Sequence, residues 1–304
     1  MSDGLSREPT GGNGVKAPKF SYVRAESVEQ VLRLLEEHGD EARILAGGQS
    51  LMPTLNMRLS QPRLLIDINR LEALKGISVQ GDRVRIGALT RHAEVANSVI
   101  VAKHLPLIAE AMPHVAHVAV RNRGTFGGSI ALADPAAEMP ACVLALGATL
   151  IVQSAGGKPE IAADAYFKGL YETARQANEI LVEVLVPIQR PNVVSVFMEL
   201  ARRHGDFAIA GIASQLTFDR DLVTEARLVY FGSEDKPTLA ARAAAALRGK
   251  RLDTAALEAA ADALTNDLAP MSNAQGSAKL RLELQRVLTK RALDTVLRRV
   301  RAAA

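Results

Sequence analysis

The sequence predicts an α+β protein, and three observations carry that expectation. Short apolar runs and helical periodicities alternate as far as Pro187. The stretch 188–192, Ile-Gln-Arg-Pro-Asn, breaks the pattern and marks the best domain boundary. Beyond it, strand candidates at 195–200, 209–218 and 227–231 come first and Ala-rich helices follow. That order is expected of a small antiparallel sheet backed by helices. With 48% hydrophobic and 23% charged residues in 304, the chain can bury real cores.

Each element has its own local signal. Residues 1–17 are rich in Gly, Ser and Pro and lack an apolar stretch, so they read as a disordered lead rather than a signal peptide. Structure is expected from near Phe20. Ser27 and Gln30 have capping-box spacing, Val28, Val31, Leu32 and Leu35 follow at helical intervals, and Gly39 is placed as a C-cap. A strand at 43–45 delivers the chain into a glycine loop, which is expected to continue through 51–59 before a buried strand at 64–68. Alternation at 83–86 predicts another strand, and Thr90 is placed to cap a helix carrying Glu94 and Val95. One helical stretch is expected over 99–112. Asp134 as N-cap with Pro135 at the first helical position predicts a helix running through Cys142 and Leu146. Strands are expected at 148–152 and at 180–186, the second stopped by Pro187. At the end, 279–301 reads as an amphipathic helix with a basic face formed by Arg281, Arg286, Lys290, Arg291, Arg298, Arg299 and Arg301.

Composition and motifs exclude several function classes. No G-x-G-x-x-G opens a βαβ unit, and neither a P-loop nor an H-E-x-x-H sequence occurs. The single cysteine, Cys142, rules out an intrachain disulfide and an iron–sulfur cluster held by this chain alone. It lies in an apolar helical run and reads as a small buried hydrophobe. His114 and His117 stand three apart with no third ligand near in sequence, so no metal site is expected. No apolar run reaches the ~18 residues of a spanning helix, and the expected compartment is cytoplasmic. Net charge is +4. The basic C-terminal face reads first as a solvated surface and second as a docking site for an acidic partner subunit. A basic adaptor for nucleic acid is a further reading, which the scattered charge and 4% aromatic content oppose.

Two loops point to a ligand. Ala46, Gly47, Gly48, Gln49 and Ser50 follow one strand-like run; Thr125, Phe126, Gly127, Gly128 and Ser129 form the second loop. Paired glycines allow φ > 0, aim successive N–H groups at one point and let an anion approach the backbone. Together the two loops read as halves of a clamp around a diphosphate, with the hydroxyls of Ser50, Thr125 and Ser129 as added donors. Glu138, four residues after Asp134, is expected on the same helical face, where it could accept hydrogen bonds from ribose hydroxyls. No nucleophile–base constellation is found.

These loops, together with Asp67-Ile68-Asn69, Ile86-Gly87-Ala88-Leu89-Thr90, Arg121-Asn122-Arg123-Gly124 and Asp134-Pro135-Ala136-Ala137-Glu138, resemble one family across nearly the whole chain. It is the FAD-binding medium subunit of molybdenum hydroxylases, the carbon monoxide dehydrogenase and xanthine dehydrogenase group. The resemblance implies a two-lobed FAD domain of the vanillyl-alcohol-oxidase type over 18–190 and a C-terminal α+β domain over 191–304. It implies that both glycine loops hold the FAD diphosphate and that Glu138 meets the adenosine portion. The segment 200–208 resembles the one whose aromatic residue covers a face of the isoalloxazine ring, which implicates Asp206 and Phe207. Phe207 stands where Tyr is common, and Phe126 where Ile or Leu is usual. Also implied are a large molybdopterin-binding subunit, a small subunit with [2Fe-2S] clusters and a dimer of heterotrimers. This chain would relay electrons to an external acceptor and need no catalytic base. The substrate of the complex is expected to be an N-heteroaromatic or an aldehyde. A self-contained flavin oxidoreductase of the same fold is the alternative.

Overall fold

Residues 17–303 are described by the computed structural model, so the expected lead, apart from Ala17, lies outside the described residues. The first lobe comprises β1 (Ser21–Arg24), α1 (Val28–His38), β2 (Ala42–Leu45), α2 (Leu51–Asn56) and β3 (Leu64–Asp67). β3 pairs in parallel with β1 on one side and β2 on the other. All four of its residues are buried, as a parallel strand covered on both faces requires. Ser27 Oγ accepts from Gln30 N–H at 3.2 Å. The Gln30 side chain accepts at 2.7 Å from Glu26 N–H, one residue before the reciprocal position of a capping box. Residues 51–56 are helical rather than loop. Pro53 lies in the first turn, where its missing N–H costs no bond, and Leu55 is fully buried.

The second lobe begins with β4 (Ile77–Gln80) and β5 (Arg83–Gly87). There follow α3 (His92–Ala96), α4 (Val99–His104), α5 (Pro106–Ala111), α6 (Val118–Arg121), α7 (Phe126–Leu132) and α8 (Glu138–Ala145). β6 (Thr149–Gln153), β7 (Glu160–Ala162), α9 (Ala163–Tyr166), a hairpin of β8 (Phe167–Gly169) and β9 (Glu172–Thr173), and β10 (Ile180–Pro187) complete it. Its antiparallel sheet runs β4-β5-β10-β6-β7. Three expectations change here. Arg91, not Thr90, caps α3; its N–H donates to Glu94 at 2.7 Å, while the Thr90 hydroxyl donates to the Gly76 carbonyl. The stretch 99–112 is two helices, because Pro106 drives Leu105 out of the helical region to φ −131°. The helix expected from Pro135 starts only at Glu138. Asp134 Oδ1 instead accepts from Ala136 N–H at 2.9 Å, a local turn that outcompetes helix.

The last part holds β11 (Val193–Leu200), β12 (Ala210–Asp219), β13 (Leu222–Phe231), β14 (Thr238–Leu239), α10 (Ala241–Leu247), α11 (Thr254–Ala263) and α12 (Ala278–Ala303). Its antiparallel sheet is buried on both faces, and strand alternation sorts the side chains. Phe197, Ala213, Val229 and Phe231 join the core of the second lobe. Val196, Ile212, Leu228 and Tyr230 face α10–α12. The basic face of α12 is smaller than its sequence suggests. Arg281 is buried and donates to the Gly232 carbonyl and to Asn273 Oδ1, both at 2.7 Å. Arg299 pairs with Glu110, and Lys290 with Glu258. Cys142 is fully buried in α8, and burial, then the Glu138 carboxyl nearby, pushes its thiol well above the usual range. A thiol-specific disulfide reagent at pH 8 is therefore expected to leave the native chain unmodified over minutes and to titrate Cys142 fully in denaturant.

Candidate functional site

The two glycine loops meet. A Cβ on Gly47 would overlap the Arg123 carbonyl oxygen and lie 2.8 Å from Gly124 Cα. One on Gly128 would lie 2.5 Å from Thr125 Oγ1 and 3.9 Å from Ala46 Cβ. Gly47 is thus required by the close approach of the segment leading into the second loop, whereas Gly128 is required by its own loop's Thr125 side chain and meets Ala46 only at ordinary contact distance. Gly48, at φ +72°, turns the first loop into α2. Together they form one wall of a cleft of about 800 Å³.

The loops differ in what they offer that cleft. Among the described residues, the N–H groups of Gly47, Gly48, Gln49 and Ser50 have no protein acceptor, while the Gln49 side chain folds back to the Gly47 carbonyl at 3.1 Å. In the second loop the amides are already used. Phe126 N–H donates to the Thr90 carbonyl, Gly127 N–H to Ala88, Gly128 N–H to Thr125 Oγ1 and Ser129 N–H to the Thr125 carbonyl. The expected set of amide donors from both loops is thus corrected to one. The second loop supplies a close-packed wall and the side chain of Ser129. The Phe126 ring is fully buried in the second-lobe core and does not line the cleft.

Glu138 opens α8 at the cleft wall and is 6% exposed. Burial pushes its carboxyl up to about 8, with the Glu199 and Asp134 charges adding to the effect and His114 opposing it. Asp134 lines the same cleft from the preceding turn; burial raises its carboxyl, and the Tyr171 hydroxyl donates to it at 3.3 Å. The two acids share the cleft although they do not share a helix. Asp206 and Phe207 line the cleft from the loop after β11, with Phe207 57% exposed. Gly205, at φ +85°, lets that loop lie against the Ala116 carbonyl. His114 Nδ1 lies 3.2 Å from Glu199, and His117 occupies the N-cap position of α6 without a side-chain capping bond.

Sequence reasoning missed several lining residues. Arg43 and Arg175 bring positive charge to the cleft, Leu89 and Leu181 give it an apolar surface, and the β8–β9 hairpin contributes Tyr171 and Thr173. His92 is nine-tenths buried in the wall with no partner for Nδ1, and burial, reinforced by Arg121, lowers its imidazole to about 4. No local pattern signals these residues, because they converge only when the lobes pack. A second cleft, of about 570 Å³ beside the 187–193 linker and Arg227, contains none of the predicted site residues.

Comparison with known proteins shows the family. The family described as an FAD binding domain in molybdopterin dehydrogenase matches residues 18–189, and the CO dehydrogenase flavoprotein C-terminal domain matches 195–296. The chain is 41% identical over 288 residues to the 6-hydroxypseudooxynicotine dehydrogenase complex subunit alpha of Paenarthrobacter nicotinovorans, covering 94% of this chain and 97% of that one. The solved carbon monoxide dehydrogenase from Hydrogenophaga pseudoflava aligns with a TM-score of 0.91 and 37% identity over 93% of this chain and 99% of its own. Quinoline 2-oxidoreductase from Pseudomonas putida 86 aligns with a TM-score of 0.88 and 38% identity, over 94% and 99% of the two chains. The chain belongs to the family of FAD-binding medium subunits of molybdenum hydroxylases. It is the FAD subunit of a multi-subunit oxidoreductase of that class.

The raised Glu138 carboxyl makes stability depend on pH. Between its ordinary value and about 8 the folded chain holds a proton that the unfolded chain has released, so stability falls as pH rises through that window. Glu138→Gln removes this loss. In the flavin-free chain it is expected to raise the melting temperature at pH 9 by about 3 °C or more, with the gain shrinking towards pH 5. Thermal melts across pH check it.

Proposed function

We propose that this chain is the FAD-carrying electron-transfer subunit of a heterotrimeric molybdenum hydroxylase. It would accept electrons from the iron–sulfur clusters of a small subunit and deliver them to an external acceptor, while a large molybdopterin subunit oxidises substrate. The observation that carries this reading is the meeting of two glycine loops beside a cleft, one of them with its amides unspent.

The chain's own residues fit the cofactor. Amides of Gly47, Gly48, Gln49 and Ser50 would bind the diphosphate, and Arg43 and Arg175 add positive charge to the same cleft. Ser129 offers a hydroxyl from the opposite loop. Glu138, protonated at pH 7, can both donate to and accept from a hydroxyl of the adenosine portion. Phe207, exposed at the cleft, would cover one face of the isoalloxazine ring, with Asp206 beside it. When bound, FAD supplies a carrier that exchanges either one or two electrons. Thr125 acts through Gly128, whose N–H it fixes, and Phe126 anchors the loop from the core.

The division of the chain into an FAD-binding part at 18–190 and a C-terminal part at 191–304 belongs to this proposal. So do a dimer of heterotrimers and a cytoplasmic location; among the described residues, no helix is long and apolar enough to cross a membrane. An N-heteroaromatic or aldehyde substrate belongs to the proposal too, the first supported by the quinoline enzyme among the similar proteins.

The full chain titrated with FAD is expected to take up about one flavin per chain, the stoichiometry of a single pyrophosphate clamp. Gly47→Val should abolish uptake, because its side chain would collide with the Arg123 carbonyl. Phe207→Ala should retain flavin and shift its visible spectrum. Absence of flavin uptake by the wild-type chain would overturn the reading.

A further inference from the structure

Behind the cleft, a chain of polar side chains joins the two lobes at the level of the glycine loops. Asn69 follows β3 in the first lobe. Its Nδ2 donates to the Ala46 carbonyl at 2.7 Å and to Asp67 Oδ1 at 2.7 Å. Asp67 is itself held by the Tyr22 hydroxyl and by Asn69 N–H, the latter at 2.8 Å. On the other side of the junction, Arg91 precedes α3. Its Nη2 donates to Asn69 Oδ1 at 2.7 Å, and its Nη1 donates to the Arg123 carbonyl, the oxygen against which Gly47 packs. The Arg91 backbone bridges to Thr125, the first residue of the second loop. One guanidinium and one amide therefore tie the carbonyl that opens the first loop to the carbonyl that precedes the second. Neither Asn69 nor Arg91 lines the cleft, so neither is placed to touch a ligand there.

We propose that Asn69 and Arg91 are positioning residues that set the spacing of the two glycine loops, and that flavin affinity depends on the bond between them. This rests on the reading that those loops hold the FAD diphosphate. The planar guanidinium fork meets two acceptors at fixed geometry, which a single ammonium cannot do. Asn69 is suited to the other half, since its amide donates to one loop while its oxygen accepts from the arginine. A change of a few tenths of an ångström at this junction would move the unspent amides of the first loop relative to Ser129 on the second.

The test is FAD binding to the full chain for wild type, Asn69→Ala, Arg91→Ala, the double variant and Arg91→Lys. Dissociation constants come from flavin fluorescence, alongside thermal melts of the flavin-free proteins. Each alanine variant is expected to bind FAD about tenfold more weakly, the loss expected for a hydrogen bond to a charged group. The double variant should be no weaker than the worse single one, because either change breaks the same tie. Arg91→Lys is expected to lose about fivefold, since it keeps charge and stem but not the fork. It decides the question if the alanine variants fail to fold. Wild-type binding with all folded variants within about twofold, or with losses that add in the double variant, overturns this proposal alone. A lowered melting temperature with unchanged affinity has the same meaning. A wild-type chain that takes up no flavin overturns the FAD reading, and this proposal with it.

Discussion

The approach of Gly47 to the Arg123 carbonyl constrains everything around the cleft. A backbone oxygen stands where a β-carbon would be, so the first loop tolerates only glycine and the second cannot retreat without opening the lobe junction. From that contact follow the turn at Gly48, the start of α2 and the run of N–H groups left without protein partners. The second loop reaches the same place by another route. Gly127 packs on Ala88, so that α7 lies directly on the residue following β5. Its amides are spent in fixing that position, and the division of labour between a donor loop and a wall loop is the result.

Burial then decides the electrostatics. Glu138 begins a helix whose residues are all buried, and its carboxyl keeps a proton at neutral pH for that reason first. A neutral acid beside an anionic cofactor avoids a repulsion that an ionised one would create. Positive charge comes instead from Arg43 and Arg175, and each is fixed by backbone carbonyls: Arg43 by those of Asp40 and Ala42, Arg175 by those of Gln176 and Glu179. The cleft thus carries Arg43 and Arg175 together with the carboxylates of Asp40, Asp134, Glu172 and Asp206, and a buried acid that stays uncharged at neutral pH.

The C-terminal sheet has a double role that its sequence alone does not reveal. One face completes the second-lobe core through Phe197 and Phe231, and the other packs against α10–α12. The loop bearing Asp206 and Phe207 is therefore carried on a sheet rigidly continuous with the lobe that holds Glu138. Much of the basic surface of α12 is spent on internal pairs, and Arg281 is spent on holding the turn after β13.

Several features were legible from local signals. Ser27 announced α1, Pro187 closed β10, and the apolar runs at 64–67 and 180–186 became buried strands. The first glycine pair identified itself as a turn, whereas Gly127 and Gly128, expected in a second such turn, lie in the first turn of α7 behind the Thr125 cap. Six ordered motifs gave the resemblance to the family. Misreadings fell where two local rules competed. Asp134 and Pro135 form a good helix start, but the Asx turn was stronger; 51–59 reads in the sequence as a continuation of the glycine loop, yet its first six residues are helical, with Pro53 accepted in the first turn. By itself the sequence determined most element types and the glycine positions, because these depend on backbone torsions and short-range spacing, while its resemblance to a family supplied the cofactor. Tertiary structure alone decided which amides stay free, that Phe126 belongs to the core, that Glu138 stays protonated, and that Asn69 meets Arg91. Each of these depends on which distant segment fills the space beside a group, and no local pattern encodes that.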